Sequence, residues 1–205
     1  VAANECASGS AAKNSSWHGT HVAGTIAALT NNGVGVAGVN WVSPIVPVRV
    51  LGKCGGYSSD IADGITWASG GTVSGVPANA LPARVLNLSL GGYRSNATCD
   101  AVYQTAISGA LSRNVVVVVA AGNSNQETKY HTPANCAGVI TVAATGRTGQ
   151  RASYSNYDDN ETGVQVEIAA PGGSDGNGVL STLNSGTTSP NPTGYNYVNY
   201  QGTSM

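Results

Sequence analysis

Charge is the scarcest property of this 205-residue chain: 9% of residues are charged and the formal net charge is −1. With no basic stripe there is no electrostatic footprint for nucleic acid, and with no polybasic segment nothing grips an anionic membrane surface. No apolar run approaches the ~20 residues that span a bilayer, and no charged-then-apolar leader opens the sequence. The chain starts on Val1 and its one Met is residue 205, so it is expected to be a mature or truncated stretch, cut at both ends. The four cysteines form no C-x-x-C pair, which argues against a zinc ribbon or a redox motif. H-E-x-x-H is missing as well, which removes the zinc-protease helix. No repeat or low-complexity linker interrupts the chain, so one domain without an internal boundary is expected.

What is present is an apolar pattern, with 41% hydrophobic residues, enough for a substantial core. Cys6, Cys54, Cys99 and Cys136 are widely spaced, which suits an oxidising, extracellular compartment. Four cysteines allow three pairings. The sequential one, Cys6–Cys54 with Cys99–Cys136, keeps each bridge within one half of the chain and is the expected one, each loop contributing roughly 3–4.5 kcal/mol.

Periodicity supplies the elements. Residues 14–16 can N-cap a helix over 18–29, in which Val22, Ile26 and Leu29 recur at helical spacing. Helices are also expected over 61–68 and 100–111, and strands over 45–51, 84–90, 114–121, 139–144 and 166–170. The run Val115-Val116-Val117-Val118-Val119 reads as a strand buried on both faces, as in a parallel sheet. Strands alternating with helices predict an α/β fold with a mostly parallel sheet. In such sheets ligands bind at the carboxyl ends of strands, where Ser89-Leu90-Gly91 and Ala120-Ala121-Gly122-Asn123 fall.

Three stretches together carry chemistry. Gly202-Thr203-Ser204-Met205 presents a serine on a turn, His18-Gly19-Thr20-His21 opens a helix, and Asn123 follows a buried strand and a glycine. A serine hydroxyl attacks an acyl carbon only with a base to take its proton, and histidine, with an ordinary pKa of about 6.5, is the natural base. His18, first in the helix with Gly19 beside it, suits that role, and His21, one turn further in, reads as structural. Asn123 suits a side-chain amide donating to the oxyanion of a tetrahedral intermediate, beside the Ser204 backbone N–H.

These residues resemble the subtilisin-like serine proteases. The motifs His18-Gly-Thr-His-Val-Ala-Gly, Ser89-Leu-Gly-Gly, Ala120-Ala-Gly-Asn123 and Gly202-Thr-Ser204-Met match in order and spacing, with Arg151-Ala-Ser-Tyr-Ser and Ala170-Pro-Gly as further similar segments. The resemblance is nearest to secreted Gram-negative members with cysteine bridges. It implies a three-layer α/β domain with helices on both faces of the sheet. It implies an endopeptidase with His18 as base, Ser204 as nucleophile and Asn123 as oxyanion donor. Ser89, Leu90 and Gly91 would pair with the substrate backbone as an added strand, and with Ala120, Ala121 and Gly122 would wall the P1 pocket. His131 falls near that pocket's floor, and walls of Gly and Ala suggest a broad apolar P1 preference. The loop holding Thr30, Asn32, Val34 and Val36 resembles the family's calcium loop, a structural ion with no part in the chemistry.

One member of the pattern is missing. The family's orienting Asp precedes the His, and here Glu5 is the one acid before His18; Asp63 and Asp175 follow it in unsuitable settings. The expectation is a partial peptidase domain over residues 1–205, with the Asp strand upstream and a helix beyond Ser204 downstream. Losing such a carboxylate costs ~10⁴ in rate, so the chain alone is expected to be nearly inert. The parent is expected to be a secreted monomer with a pro-region, acting on proteins or peptides; the alternative is a non-catalytic relative that binds peptides. Asn14, Asn96 and Asn160 stand in N-x-S/T sequons.

Overall fold

The computed structural model describes residues 1–158 and 166–205; Asn160 lies outside the described residues. In chain order the elements are α1 (His18–Ala27), α2 (Ser58–Ala68), β1 (Val85–Leu88), β2 (Gly92–Tyr93), α3 (Ala101–Ser112) and β3 (Val116–Ala120). They continue with β4 (His131–Thr132), β5 (Ile140–Thr145), β6 (Ile168–Pro171), β7 (Val179–Asn184) and β8 (Tyr195–Tyr200). Contacts divide the chain into two compact units: Val1–Ile45 with Leu51–Gly56 and Val179–Tyr200, and Val46–Val50 with Tyr57–Gly178 and Gln201–Met205.

The first unit pairs α1 with an antiparallel β7–β8 ribbon. Its close packing depends on Gly24, because a Cβ there would collide with the Ser181 and Thr182 hydroxyls. His21 is fully buried, stacked on Tyr200 at 4.6 Å and donating from Nε2 to the Val198 carbonyl at 2.9 Å. That assigns it the structural role. The helix starts differently from expectation: Trp17, at φ 51, is the N-cap, and Ser16 reaches the His18 N–H with its hydroxyl at 3.4 Å. It also ends at Ala27, so Leu29 stands outside it, 81% exposed. The β7–β8 ribbon escapes sequence reading because Tyr195-Asn-Tyr-Val-Asn-Tyr200 resembles a polar loop. The bridge Cys6–Cys54 forms as expected, with Cα atoms 5.2 Å apart.

The second unit holds a four-stranded sheet in the order β1-β3-β5-β6, every pair parallel. Helices α2 and α3 bury Ile61, Ile65, Ile107 and Ala110 against Leu86, Leu88, Val117 and Val119, a burial worth about 1.5–3 kcal/mol per large side chain. Asp100 caps α3, its carboxylate accepting from the Val102 N–H at 3.0 Å. The valine run corrects the expectation of two buried faces: Val117 and Val119 are 1% exposed but Val116 is 42% exposed. Both helices of this unit cover the same face, so alternate valines remain open. Residues 45–51 correct another, since they join no strand ladder among the described residues. Val50 still packs on the core, so their apolar pattern reflects burial without a strand partner. The bridge Cys99–Cys136, with Cα atoms 4.8 Å apart, ties the start of α3 to the segment after β4.

Candidate active site

Because β1 and β3 are adjacent and parallel, the segments leaving them emerge at one carboxyl edge. There they wall a cleft of about 250 Å³, lined among others by Leu90, Gly91, Ala120, Ala121, Gly122, Asn123, His131 and Ser204. The two walls differ in a way that matters for function. In the second wall the Ala121 N–H donates to Val142 O at 3.0 Å and the Gly122 N–H to Thr203 Oγ1 at 3.1 Å. The Ala121 carbonyl accepts from Asn156 Nδ2 at 2.8 Å, and the Gly122 carbonyl from the Asn156 N–H at 3.0 Å. That wall is fixed. In the first wall the backbone groups of Leu90 and Gly91 have no hydrogen-bond partner among the described residues, which leaves a strand edge open for an incoming peptide.

Gly122 is required where it stands, at φ +108, with no room for a Cβ beside the Asn156 amide. Asn156 is itself fully buried and also accepts from the Ser124 and Gln126 N–H groups, at 2.9 and 3.2 Å. Its amide therefore braces the whole turn that carries Asn123.

Asn123 is oriented by its oxygen. Oδ1 accepts from the Thr203 N–H at 2.9 Å and from Thr203 Oγ1 at 3.0 Å. A backbone N–H can only donate, so the carboxamide cannot flip, and Nδ2 is left facing away from that bond. Neither Asn123 Nδ2 nor the Ser204 backbone N–H has a hydrogen-bond partner among the described residues. The Ser204 hydroxyl is half-buried and donates weakly to the Ser89 carbonyl at 3.4 Å, while Ser89 Oγ donates to the Ser204 carbonyl at 2.9 Å. The second unit thus gathers a serine, two unengaged N–H donors and an open strand edge around one cleft.

The subtilase family model matches residues 2–205. The chain belongs to the subtilase family. It is 58% identical over 204 residues to an "Extracellular protease" of Xanthomonas campestris pv. campestris, covering all of this chain and 33% of that protein. It is 49% identical over 178 residues to an "Extracellular basic protease" of Dichelobacter nodosus, covering 87% of this chain and 28% of that protein. The chain therefore spans about a third of the length of these curated relatives. A solved structure described as proteases from Pseudoalteromonas arctica PAMC 21717 superposes with a TM-score of 0.92 at 56% identity, covering all of this chain and 59% of that one.

Within this subtilase chain His18 belongs to the first unit, as the opening residue of α1. Burial, and secondarily the charge of His21 beside it, hold its pKa below the ordinary 6.5. A depressed value keeps the imidazole neutral, the form a general base needs, and contributes stability above pH ~6.5 that is lost as pH falls through the folded value. An NMR titration should place the His18 midpoint below 6.5, whereas a midpoint at or above it would contradict this environment. Glu5, the one acid of that unit, is held by Lys53 at 2.7 Å. Asp63 is exposed on α2 and Asp175 sits in a tight turn at φ 52. Sequence reading missed Thr203 and Asn156, which position Asn123 and its turn, although both adjoin or lie inside recognised motifs.

Proposed function

We propose that the protein containing this chain is a secreted serine endopeptidase that hydrolyses peptide bonds through an acyl-enzyme. In this reading His18 takes the Ser204 proton as general base, and Ser204 attacks the scissile carbonyl. The oxyanion is received by Asn123 Nδ2 and the Ser204 N–H. Leu90 and Gly91 hold the substrate backbone as an added strand, with Ser89 at its head, and the Ala120–Gly122 wall bounds the P1 side chain. The observation that carries the proposal is the locked Asn123 amide: its oxygen is tied to Thr203, so its donor remains for the transition state. The names of the relatives support export from the cell.

The deciding experiment is fluorophosphonate labelling of the mature full-length protein, wild type against Ser204→Ala. Labelling confined to the wild type establishes an activated serine. A folded wild type that takes no label would favour a relative that binds peptides without cleaving them.

We also propose calcium at the loop of Thr30, Asn32, Val34 and Val36. The Thr30, Val34 and Val36 carbonyls have no backbone partner among the described residues, and Asn32 Oδ1 accepts one N–H, from Val34, at 3.0 Å. Those oxygens suit a hard cation, which takes six to eight of them, and the ion would brace the loop without entering the reaction. Excess EDTA should lower Tm, with recovery on adding calcium and not magnesium. An unchanged Tm would leave a plain glycine loop.

A further inference from the structure

We infer that residues 151–157 are a positioning segment for catalysis: Asn156 holds the turn of the oxyanion donor and Tyr154 holds the turn of the nucleophile. One segment then sets the spacing between the two. The inference rests on the proteolytic reading above and adds to it residues that touch neither the substrate nor the reacting atoms.

The segment is mostly polar in sequence, yet Ser155 and Asn156 are fully buried, and polar groups stay buried where they are hydrogen-bonded. Every Asn156 contact has a fixed direction. Oδ1 accepts from the Ser124 and Gln126 N–H groups, which can only donate, and Nδ2 donates to the Ala121 carbonyl, which can only accept. The amide therefore has one orientation. The Asn156 backbone N–H donates to the Gly122 carbonyl at 3.0 Å. Two of these four bonds fall before Asn123 and two after it. There is no slack in the fit, since a Cβ on Gly122 would lie 2.2 Å from Asn156 Nδ2. The Asn125 N–H adds a bond to the Tyr154 carbonyl at 2.8 Å, and the Tyr157 N–H one to the Gln126 carbonyl at 3.1 Å. The backbone that aims Asn123 Nδ2 is moulded on this segment.

Tyr154 reaches the other partner. Its phenol O–H lies 2.9 Å from the Gly172 carbonyl and 2.6 Å from the Gly173 carbonyl. The Gly172 carbonyl also accepts the Gly202 N–H at 3.0 Å, two residues before Ser204. That seat is tight, because a Cβ on Gly172 would lie 2.5 Å from the Gly202 carbonyl oxygen. Between Tyr154 and Asn156 stands Ser155, whose Oγ accepts from the Ala144 N–H of β5 at 2.9 Å. The donor turn and the nucleophile turn thus share one anchor on the sheet.

The test uses the mature full-length protein and one fluorogenic peptide, with kcat counted per active site by fluorophosphonate titration so that unfolded molecules drop out. Asn156→Ala and the near-isosteric Asn156→Asp, which loses the donor to Ala121, should each lower kcat about 10–100-fold with KM little changed. That range lies within what loss of an oxyanion donor itself costs. Added to Asn123→Ala, either substitution should lower kcat by less than about two-fold more, because no donor is left to aim. Tyr154→Phe should lower kcat about 3–10-fold in both backgrounds, the scale of one net hydrogen bond, because it acts on the nucleophile's turn. It removes one hydroxyl and keeps the ring, so it reads the inference even where an Asn156 variant yields no folded protein. Asn156 variants with a lowered Tm and wild-type kcat overturn the inference, as do Asn156 losses of equal size with and without Asn123. A Tyr154→Phe variant with wild-type kcat overturns it too, and all three outcomes leave the protease reading intact. A folded wild type that neither takes the label nor cleaves the peptide overturns the protease reading and this inference with it.

Discussion

Ser204→Ala in the mature full-length protein should reduce kcat by about 10⁶, His18→Ala should do nearly the same, and the double variant should be no worse than either. That scale is the one established for subtilisin, a member of the same family. The physical reason for non-additivity is that base and nucleophile perform one proton transfer. Once the hydroxyl is gone the imidazole has no proton to take, and once the imidazole is gone the hydroxyl stays a weak nucleophile. What remains is catalysis by the donors and by substrate binding. KM should change little in all three variants. Losses that multiply would mean that the two residues act in separate steps, and a Ser204→Ala variant with near-normal turnover would place the nucleophile elsewhere.

Asn123→Ala should lower kcat about 10²–10³-fold, or ~2.7–4 kcal/mol of transition-state stabilisation, again a magnitude taken from subtilisin. The split between kcat and KM is the diagnostic. In the proposed mechanism Nδ2 serves charge that develops on the carbonyl oxygen during attack, so its loss should fall on kcat. The geometry adds a second expectation. Thr203 anchors the Asn123 oxygen through both its N–H and its hydroxyl, so Thr203→Val keeps one anchor and should cost less than Asn123→Ala. Asn123→Asp should be no better than Asn123→Ala, because a carboxylate retains the anchored oxygen and offers the oxyanion a negative charge. A loss expressed mainly in KM would assign Asn123 to ground-state binding.

Much of the fold was legible in the sequence where periodicity and burial coincide. Ile61, Ile65 and Ala68 predicted the buried face of α2, and R-V-L-N-L-S-L and the valine run predicted strands of a parallel sheet, in which the structure makes them neighbours. The expectation failed where an apolar pattern does not report its partner. Residues 45–51 look like a strand, yet strand identity depends on a neighbouring backbone, and none forms a ladder with them among the described residues. Val116 looks as buried as Val117, yet burial depends on which face the helices cover. The β7–β8 ribbon was invisible for the opposite reason, since its alternating tyrosines and asparagines carry little apolar signal while its backbone pairs fully.

The candidate site divides along the same line. The sequence by itself determined the family and the residue types that can serve as base, nucleophile and oxyanion donor, because each is a matter of covalent identity and order along the chain, whereas it left three disulfide pairings, of which the structure shows the sequential one. Only the tertiary structure decided that one cleft wall is fully hydrogen-bonded while the other is open, and that Thr203 locks the Asn123 amide from 80 residues away. It alone braced the turn that carries Asn123 on buried Asn156. Those facts arise from hydrogen-bond direction and close contact between distant segments, and no local pattern of residues encodes which group is already engaged and which remains free.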